Sequence, residues 1–409
     1  MTKNPIVTPQ DAWRILAESI VPLPAGNVPL ERAAGGWLTA PLAPRSAMDG
    51  FALRAADVTA PGTLLTVVGE VAAGSDLDPP LPPGACVRIF TGANVPRAAD
   101  AVVPVEATTS KSFRTNPTDP EVGINTSCRP GDHIFGQGET ARQGEILLPA
   151  GTRLGPRQLA VAAATGQTDV PIHDRPRVVV LNTGEELLEA GRPAGAHHTR
   201  NSNGPFLVAA VAAAGFTEVR RATVPDAADR TAAAFADALA AADAVILTGG
   251  ISAGRHDYVP GALAAAGVEI AFRGVAIKPG KPQLFGRGPG GNVVFGLPGN
   301  PLSSLVGFYE FVLPALRRLA GCPLDRCRPR LQVPLACEWS HHGDRALVLP
   351  ARLDDSGGRT MALPCPAVGS ADLATGGRVD GAVLMPPRCG TLAAGTVVPF
   401  RPWWEGTSC

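Results

Sequence analysis

Apolar residues recur at helical spacing from Thr8 to Ile20 (TPQDAWRILAESI), behind a threonine and a proline suited to a helix start, so a short opening helix is predicted. From Ser46 to about Leu148 the pattern changes to short alternating runs, LLTVVGEVAAG, ACVRIF, DAVVPVE and EILLPAG, separated by stretches rich in proline, aspartate and glycine. These predict strands, so this part is expected to be mainly β. The polar tract Thr108 to Ser127 within it reads as a hairpin tip or a mobile loop. Past Pro176 strand and helix patterns alternate: RVVVL leads into NTGEE, GPFLVAAVAAAG and DAADRTAAAFADALAA have helical periodicity, and DAVILTGG is a central strand. This predicts a parallel sheet covered by helices on both faces. The region closes with VVFGLPGNP and an apolar-periodic helix from Leu302 to Leu319, where Pro301 suits the first turn. After Gly321 the short strands return (LQVPLACEW, RALVLPARL, GAVLMPP, GTVVPF), predicting a small closed β domain.

A chain of 409 residues exceeds what one core supports, so several domains are expected. Lys+Arg and Asp+Glu are equal at 36 each, which gives no reason to expect a nucleic-acid or membrane partner, although a local patch can serve a small anion. The first residues carry an acid and a proline, and no run reaches the roughly eighteen apolar residues of a membrane span, so a cytoplasmic location is expected. The eight cysteines include no C-x-x-C pair, which argues against a structural zinc site or a disulfide scaffold.

Two glycine-rich turns about fifty residues apart, TGGISAG (Thr248 to Gly254) and GLPGNP (Gly296 to Pro301), each follow an apolar run and precede a helical pattern. Turns of this kind aim backbone N–H groups and a helix dipole at an anion. In the first, Gly249, Gly250 and Gly254 permit close backbone approach, Ser252 offers a hydroxyl, and Asp257 either helps hold a cation or caps the next helix. The absence of G-x-G-x-x-G spacing and of a Walker A lysine argues against ordinary nicotinamide or P-loop nucleotide sites. KPGKP places Lys278 and Lys281 on a proline-bracketed loop, either a solvated turn or a rigid support for two ammonium groups facing a multiply charged ligand. Glu185 and Glu186 follow a strand at the end where open α/β sheets bind ligands, and they read equally as Mg²⁺ ligands or as helix caps. Asp49, between Met48 and Gly50, reads as a turn residue as readily as a functional acid. G-x-S-x-G is absent, and covalent catalysis is not expected.

Taken together, SAMDGFALR, RIFTGANVP, DAVVPVE, NTGEEL, TGGISAGRHDY, AIKPGKP and GLPGNP resemble, in order from about Thr8 to Phe400, the molybdopterin molybdenumtransferase family, called MoeA in bacteria and represented by the E domain of gephyrin in animals. The resemblance implies a multidomain α/β and β protein: residues 1–45 with 141–175 as an N-terminal linker domain, 46–140 as an inserted β-rich lobe, 176–323 as a central molybdopterin-binding α/β domain with a parallel sheet, and 324–409 as a C-terminal β-barrel. It further implies a homodimer whose active cleft draws on both subunits. The implied reaction inserts molybdate into adenylyl-molybdopterin with Mg²⁺ or a similar cation, releasing AMP and molybdenum cofactor. Partners would include the molybdopterin adenylyltransferase and molybdoenzyme-maturation proteins. On the resemblance, Asp49, Glu186, Asp226 and Asp257 match catalytic acids, the last three also as metal ligands. Thr248, Gly249, Gly250, Ser252, Gly254, Lys278, Lys281 and Asn300 fall at the substrate site, with Pro298 and Pro301 shaping it.

Three positions depart from the family pattern. FGQGETA places Thr140 where R-x-x-G-E-D-I has aspartate, Arg255 stands where glutamate is common after S-x-G, and the usual D-[ST]-N appears as Asn201, Ser202 and Asn203. Each removes a negative charge from the implied cleft, which leaves two readings: an active transferase with an altered site, or a degenerate molybdopterin-binding or scaffold homologue without metal insertion. A hydrolase built on a related domain is disfavoured because SAMDG and the inserted lobe lie outside that domain.

Overall fold

The structure, a computed structural model, describes residues 6–34, 49–75, 77–111, 119–134, 141, 145–224, 227–251 and 259–404. The chain divides into two compact units, one comprising residues 40–149 and 156–168 and the other the remainder.

The larger unit is organised by a six-stranded sheet in the order Val219–Val224, Val178–Thr183, Ala244–Thr248, Val293–Leu297, Leu284–Arg287, Glu269–Arg273. The first four strands are parallel, as the alternating pattern predicts. The last two are antiparallel additions, so the sheet is mixed rather than wholly parallel. The departure has a local cause. The connection between Leu284–Arg287 and Val293–Leu297 is a tight turn through Pro289, Gly290 and Gly291, too short for the crossover that a parallel pair requires.

Each face of the sheet has its own core. Leu207, Ala210 and Val211 of the helix Asn203–Ala213 pack with Val180, Ile246 and Phe295 on one side. Phe235 and Ala238 of the helix Ala228–Ala241 pack with Leu181, Val245 and Leu247 on the other. In both helices the buried residues repeat every three to four positions, the spacing that puts them on one stripe. Phe272, Phe285 and Phe295 line adjacent strands with ring centroids 5.9 and 5.2 Å apart. Burial of each such side chain contributes about 1.5–3 kcal/mol.

The opening helix forms over Pro9–Ser19, with Thr8 Oγ1 accepting from the Asp11 amide as its cap. The helix predicted from Leu302 begins at Pro301 and runs to Leu319, interrupted by a π-helical turn at Phe308–Val312. Pro314, just beyond, has no N–H to offer a regular ladder, and the wider turn is the kind of irregularity that accommodates such a residue. Within the π turn Glu310 is buried. Its carboxylate accepts from Arg401 Nε at 3.0 Å and from the Arg328 guanidinium at 2.9 Å, joining this helix to the C-terminal domain. Burial alone would raise the Glu310 pKa, but the two guanidinium charges outweigh it and hold the carboxyl below its ordinary range.

The C-terminal domain is a β sheet of strands Ile277–Lys278, Ala346–Asp354, Gly381–Met385, Val397–Pro402 and Leu331–Pro334, with Met361–Pro364 beside Ala346–Asp354. Pairing among the described residues is an open path, where the sequence predicts a closed barrel. The first of these strands comes from the α/β domain: Lys278 pairs in parallel with Leu347, so one end of the KPGKP loop is built into the C-terminal sheet.

The smaller unit contains a five-stranded sheet in the order Ala101–Pro104, Gly50–Leu53, Ala85–Ile89, Thr63–Val71, Glu121–Ile124. Phe51, Leu53, Cys86 and Val103 bury one face, and Ala52, Val87, Ile89 and Val102 the other, which explains why these strands read as continuous apolar runs. One expectation fails here: EILLPAG forms no strand among its described residues. The tract Thr108 to Ser127, read as a hairpin tip or a mobile loop, contains the strand Glu121–Ile124, and Ile124 bridges Thr108 in the antiparallel sense of a hairpin, residues 112–118 lying outside the described ones. That strand is only four residues long and flanked by polar sequence, so its apolar signal is lost.

Candidate active site

Three turns follow the carboxyl ends of neighbouring parallel strands. Register pairs Asn182 with Thr248 and Thr248 with Leu297, so the turns beginning at Gly184, Gly249 and Pro298 lie side by side. Gly249 and Gly250 have φ of 84° and 58°, the left-handed region that glycine enters without strain. Space reinforces the requirement: a Cβ on Gly249 would strike the Thr183 carbonyl, and one on Gly250 would lie 2.7 Å from Val259 Cγ2.

Side chains tie these turns together. Asn182 Nδ2 donates to Thr248 Oγ1 at 2.8 Å, and Thr183 Oγ1 to the Thr248 carbonyl at 3.4 Å. Asn203 Nδ2 donates to the Gly299 carbonyl at 2.9 Å, and Asn300 Nδ2 to Ser370 Oγ at 2.8 Å, so the GLPGNP turn is held from both domains. Pro301 starts the following helix and Pro298 is buried beneath the turn.

The KPGKP loop forms the facing wall. Val275 N donates to the Lys281 carbonyl at 2.9 Å, Gly274 N to the Gln283 carbonyl at 2.6 Å, and Arg345 Nη1 to the Ile277 carbonyl at 3.1 Å. The backbone is fixed at both ends while the Lys278 and Lys281 side chains are exposed. Between the turns, this loop and the C-terminal sheet lies a cavity of about 1220 Å³. This exceeds the roughly 300–1,000 Å³ of most small-molecule sites. Lys278, Lys281, Arg200 and Arg345 line it against one carboxylate, Glu186, among the described residues, so its field favours an anion.

Glu186 is exposed, and its carboxylate folds back over the preceding turn, both oxygens 2.8 Å from where a Cβ on Gly184 would stand. Of the residues singled out from sequence, Glu186, Thr248, Gly249, Gly250, Lys278, Lys281, Pro298, Asn300 and Pro301 line this one cavity. Asp49 belongs to the smaller unit, where it accepts from the Thr91 amide of the TGANVP turn at the start of the Gly50–Leu53 strand. Ser252, Gly254, Asp257 and Asp226 lie outside the described residues, as do Thr140 and Arg255.

Several lining residues were not singled out. Arg345, Trp339 and Ser370 come from the C-terminal domain, more than forty positions beyond the last motif of the α/β domain for Ser370, and only the folding back of that domain brings them here. Asn182, which is buried behind Thr248 and does not itself line the cavity, did have a signal, because a polar residue near the end of an otherwise apolar strand must find a partner once buried. Glu189 binds Arg221 through two bonds of 2.9 Å each, and this pairing holds its carboxyl below the ordinary range.

Fold and cavity together define an α/β domain joined to a β domain that closes one side of a cavity rich in cationic side chains. Three family descriptions match the chain in order: the MoeA N-terminal region (domains I and II) over residues 7–166, a probable molybdopterin binding domain over 179–318, and the MoeA C-terminal region (domain IV) over 332–403. Among curated relatives, the molybdopterin molybdenumtransferase 2 of Mycobacterium tuberculosis is 35% identical over 375 residues, covering 88% of this chain and 90% of that protein. The molybdopterin molybdenumtransferase of Bacillus subtilis is 35% identical over 277 residues, 67% of this chain and 64% of that one. A crystal structure of the molybdopterin biosynthesis MoeA protein from Pyrococcus horikoshii superposes with a TM-score of 0.75 at 26% identity, covering 98% of this chain and 99% of that one. The chain belongs to the MoeA family of molybdopterin molybdenumtransferases.

Proposed function

We propose that the protein is a molybdopterin molybdenumtransferase that takes adenylyl-molybdopterin and molybdate as substrates and releases AMP and molybdenum cofactor. The cavity carries this reading: a large cleft at the carboxyl ends of parallel strands, lined by four cationic side chains, suits a substrate combining an extended organic body with phosphates and an oxyanion. Lys278 and Lys281 would offset charge on the phosphate and molybdate oxygens, and the rigid turns at Thr248–Gly250 and Pro298–Pro301 would hold the pterin end.

Glu186, Asp226 and Asp257 would hold Mg²⁺. An all-oxygen donor set suits this hard cation, and the Glu186 carboxylate lies at the rim of the Gly184 turn, although no cluster of three metal-ligating side chains occurs among the described residues. The cation would neutralise phosphate charge as AMP leaves. Ser252 and Gly254 enter the proposal with the TGGISAG turn, and Asp49 enters on the family resemblance alone, as do the homodimer, the closed C-terminal barrel and the four-part domain division. The adenylyltransferase and molybdoenzyme-maturation proteins are the proposed partners. No helix among the described residues is long and apolar enough to cross a membrane.

Expression of this chain in a bacterial strain lacking its own molybdopterin molybdenumtransferase is expected to restore molybdoenzyme activity at ordinary molybdate concentration. Failure of the folded protein to restore it would favour the degenerate or scaffold reading.

A further inference from the structure

Asn201 occupies the position where the family usually has aspartate, and its surroundings account for the amide. Its Nδ2 donates to Glu189 Oε1 at 3.0 Å and lies 3.4 Å from Asn182 Oδ1, while its Oδ1 accepts from the Gly204 amide at 3.0 Å. Asn182 passes the connection on through Nδ2 to Thr248 Oγ1 at 2.8 Å, beside Gly249 and Gly250. Glu189 is fixed from its other side by Arg221, with Thr223 Oγ1 at 3.4 Å. Arg221 reaches it by crossing Gly204, where a Cβ would lie 2.7 Å from Nη1. Asn201, Asn182 and Thr248 are at most 6% exposed, so each polar atom depends on this chain for its partners.

We propose that Asn201 is a positioning residue for the substrate turn, and that asparagine is required there because Glu189 supplies the carboxylate of the cluster. An amide donates to Glu189 and Asn182 while accepting from Gly204. Aspartate could only accept, and would set a second negative charge about 3 Å from the Glu189 carboxylate, which Arg221 already pairs, while the nearby Arg200 guanidinium is bound to the Glu189 carbonyl. Repulsion from Glu189 would displace the position-201 side chain from its place between Glu189 and Asn182, and with it the contact that steadies the Asn182 amide against Thr248 at the start of the Thr248–Gly250 turn. The family-typical residue is therefore harmful in this chain, and Glu189 is what makes it so. The inference rests on the transferase reading for its kinetic test.

The test is a two-by-two comparison of wild type, Asn201→Asp, Glu189→Gln and the double variant by steady-state AMP release. Asn201→Asp is expected to raise KM for adenylyl-molybdopterin about tenfold with kcat changed less than about twofold, a loss of roughly 1.4 kcal/mol. In the double variant the amide introduced at position 189 donates to the new carboxylate, and KM is expected to return to within about threefold of wild type. A silent Asn201→Asp, or a double variant as impaired as the single ones combined, would overturn the proposal. Should N201D fail to fold, recovery of soluble protein in the double variant supports the coupling and its absence contradicts it. Because the comparison is within variants of one chain, it is separable from the transferase reading: should wild type release no AMP, hydrogen exchange at the Gly249 and Gly250 amides of the ligand-free protein gives the same comparison. Faster exchange in N201D, reversed by E189Q, is the expected result, and unchanged exchange the contrary one.

Discussion

Glu310→Ala is expected to destabilise the larger unit by about 3–5 kcal/mol, the cost typical of leaving buried charge without its partner. Glu310 is 3% exposed, and the side chains of Arg401 and Arg328 that face it are 2% and 9% exposed, so its removal strands two guanidinium groups away from water. The damage extends across elements. Glu310 lies in the helix Pro301–Leu319, Arg401 in the strand Val397–Pro402, and Arg328 in the connection between the domains, stacked 5.1 Å over Trp13 of the opening helix. Urea denaturation followed by tryptophan fluorescence would measure the change. Glu310→Gln keeps the shape and some hydrogen bonding, and is expected to cost less.

The pH dependence has a definite sign. Because the carboxyl pKa is depressed in the folded protein, its contribution is full above the unfolded carboxylate pKa and declines as pH falls through the folded value. The stability gap between wild type and Glu310→Gln should therefore narrow in acid. A gap that widened would mean that the guanidinium groups do not hold the carboxylate charged.

The second large effect is on activity. Replacing both Lys278 and Lys281 with glutamine is expected to lower kcat/KM for AMP release about 100-fold or more, with little change in stability because both side chains are exposed. Their backbone is held by the strand pairing of Lys278 with Leu347 and by the Lys281 carbonyl accepting from Val275, so the loop should survive the loss of the charges. Steady-state kinetics over a range of salt would also show a flatter salt dependence in the variant, since fewer charges remain to be screened. Activity within about threefold of wild type would place anion recognition on other groups in the cavity.

The parallel strands were legible because burial on both faces makes them continuous apolar runs, as in Ala244–Thr248, and the helix Ala228–Ala241 because its buried residues keep one stripe. The strand Glu121–Ile124 was not, since four residues carry too short a pattern. Nor was the antiparallel edge of the main sheet, because an apolar run does not encode the direction of its neighbour. At the site, the glycine turns and the KPGKP loop stood out because their backbone chemistry is local. Arg345, Ser370 and the Glu189–Asn201–Asn182 chain did not, because their meaning comes from contacts far apart in sequence. Asn201 is instructive: as a letter it reads as a lost charge, whereas its neighbours show a donor matched to a carboxylate twelve residues away.

The most direct test is AMP release by the purified protein from adenylyl-molybdopterin and Mg²⁺, measured with and without molybdate and repeated with Asp257→Ala. The transferase account predicts molybdate-dependent release together with formation of active cofactor, both lost in the variant. Tight substrate binding without molybdate-dependent release would contradict it.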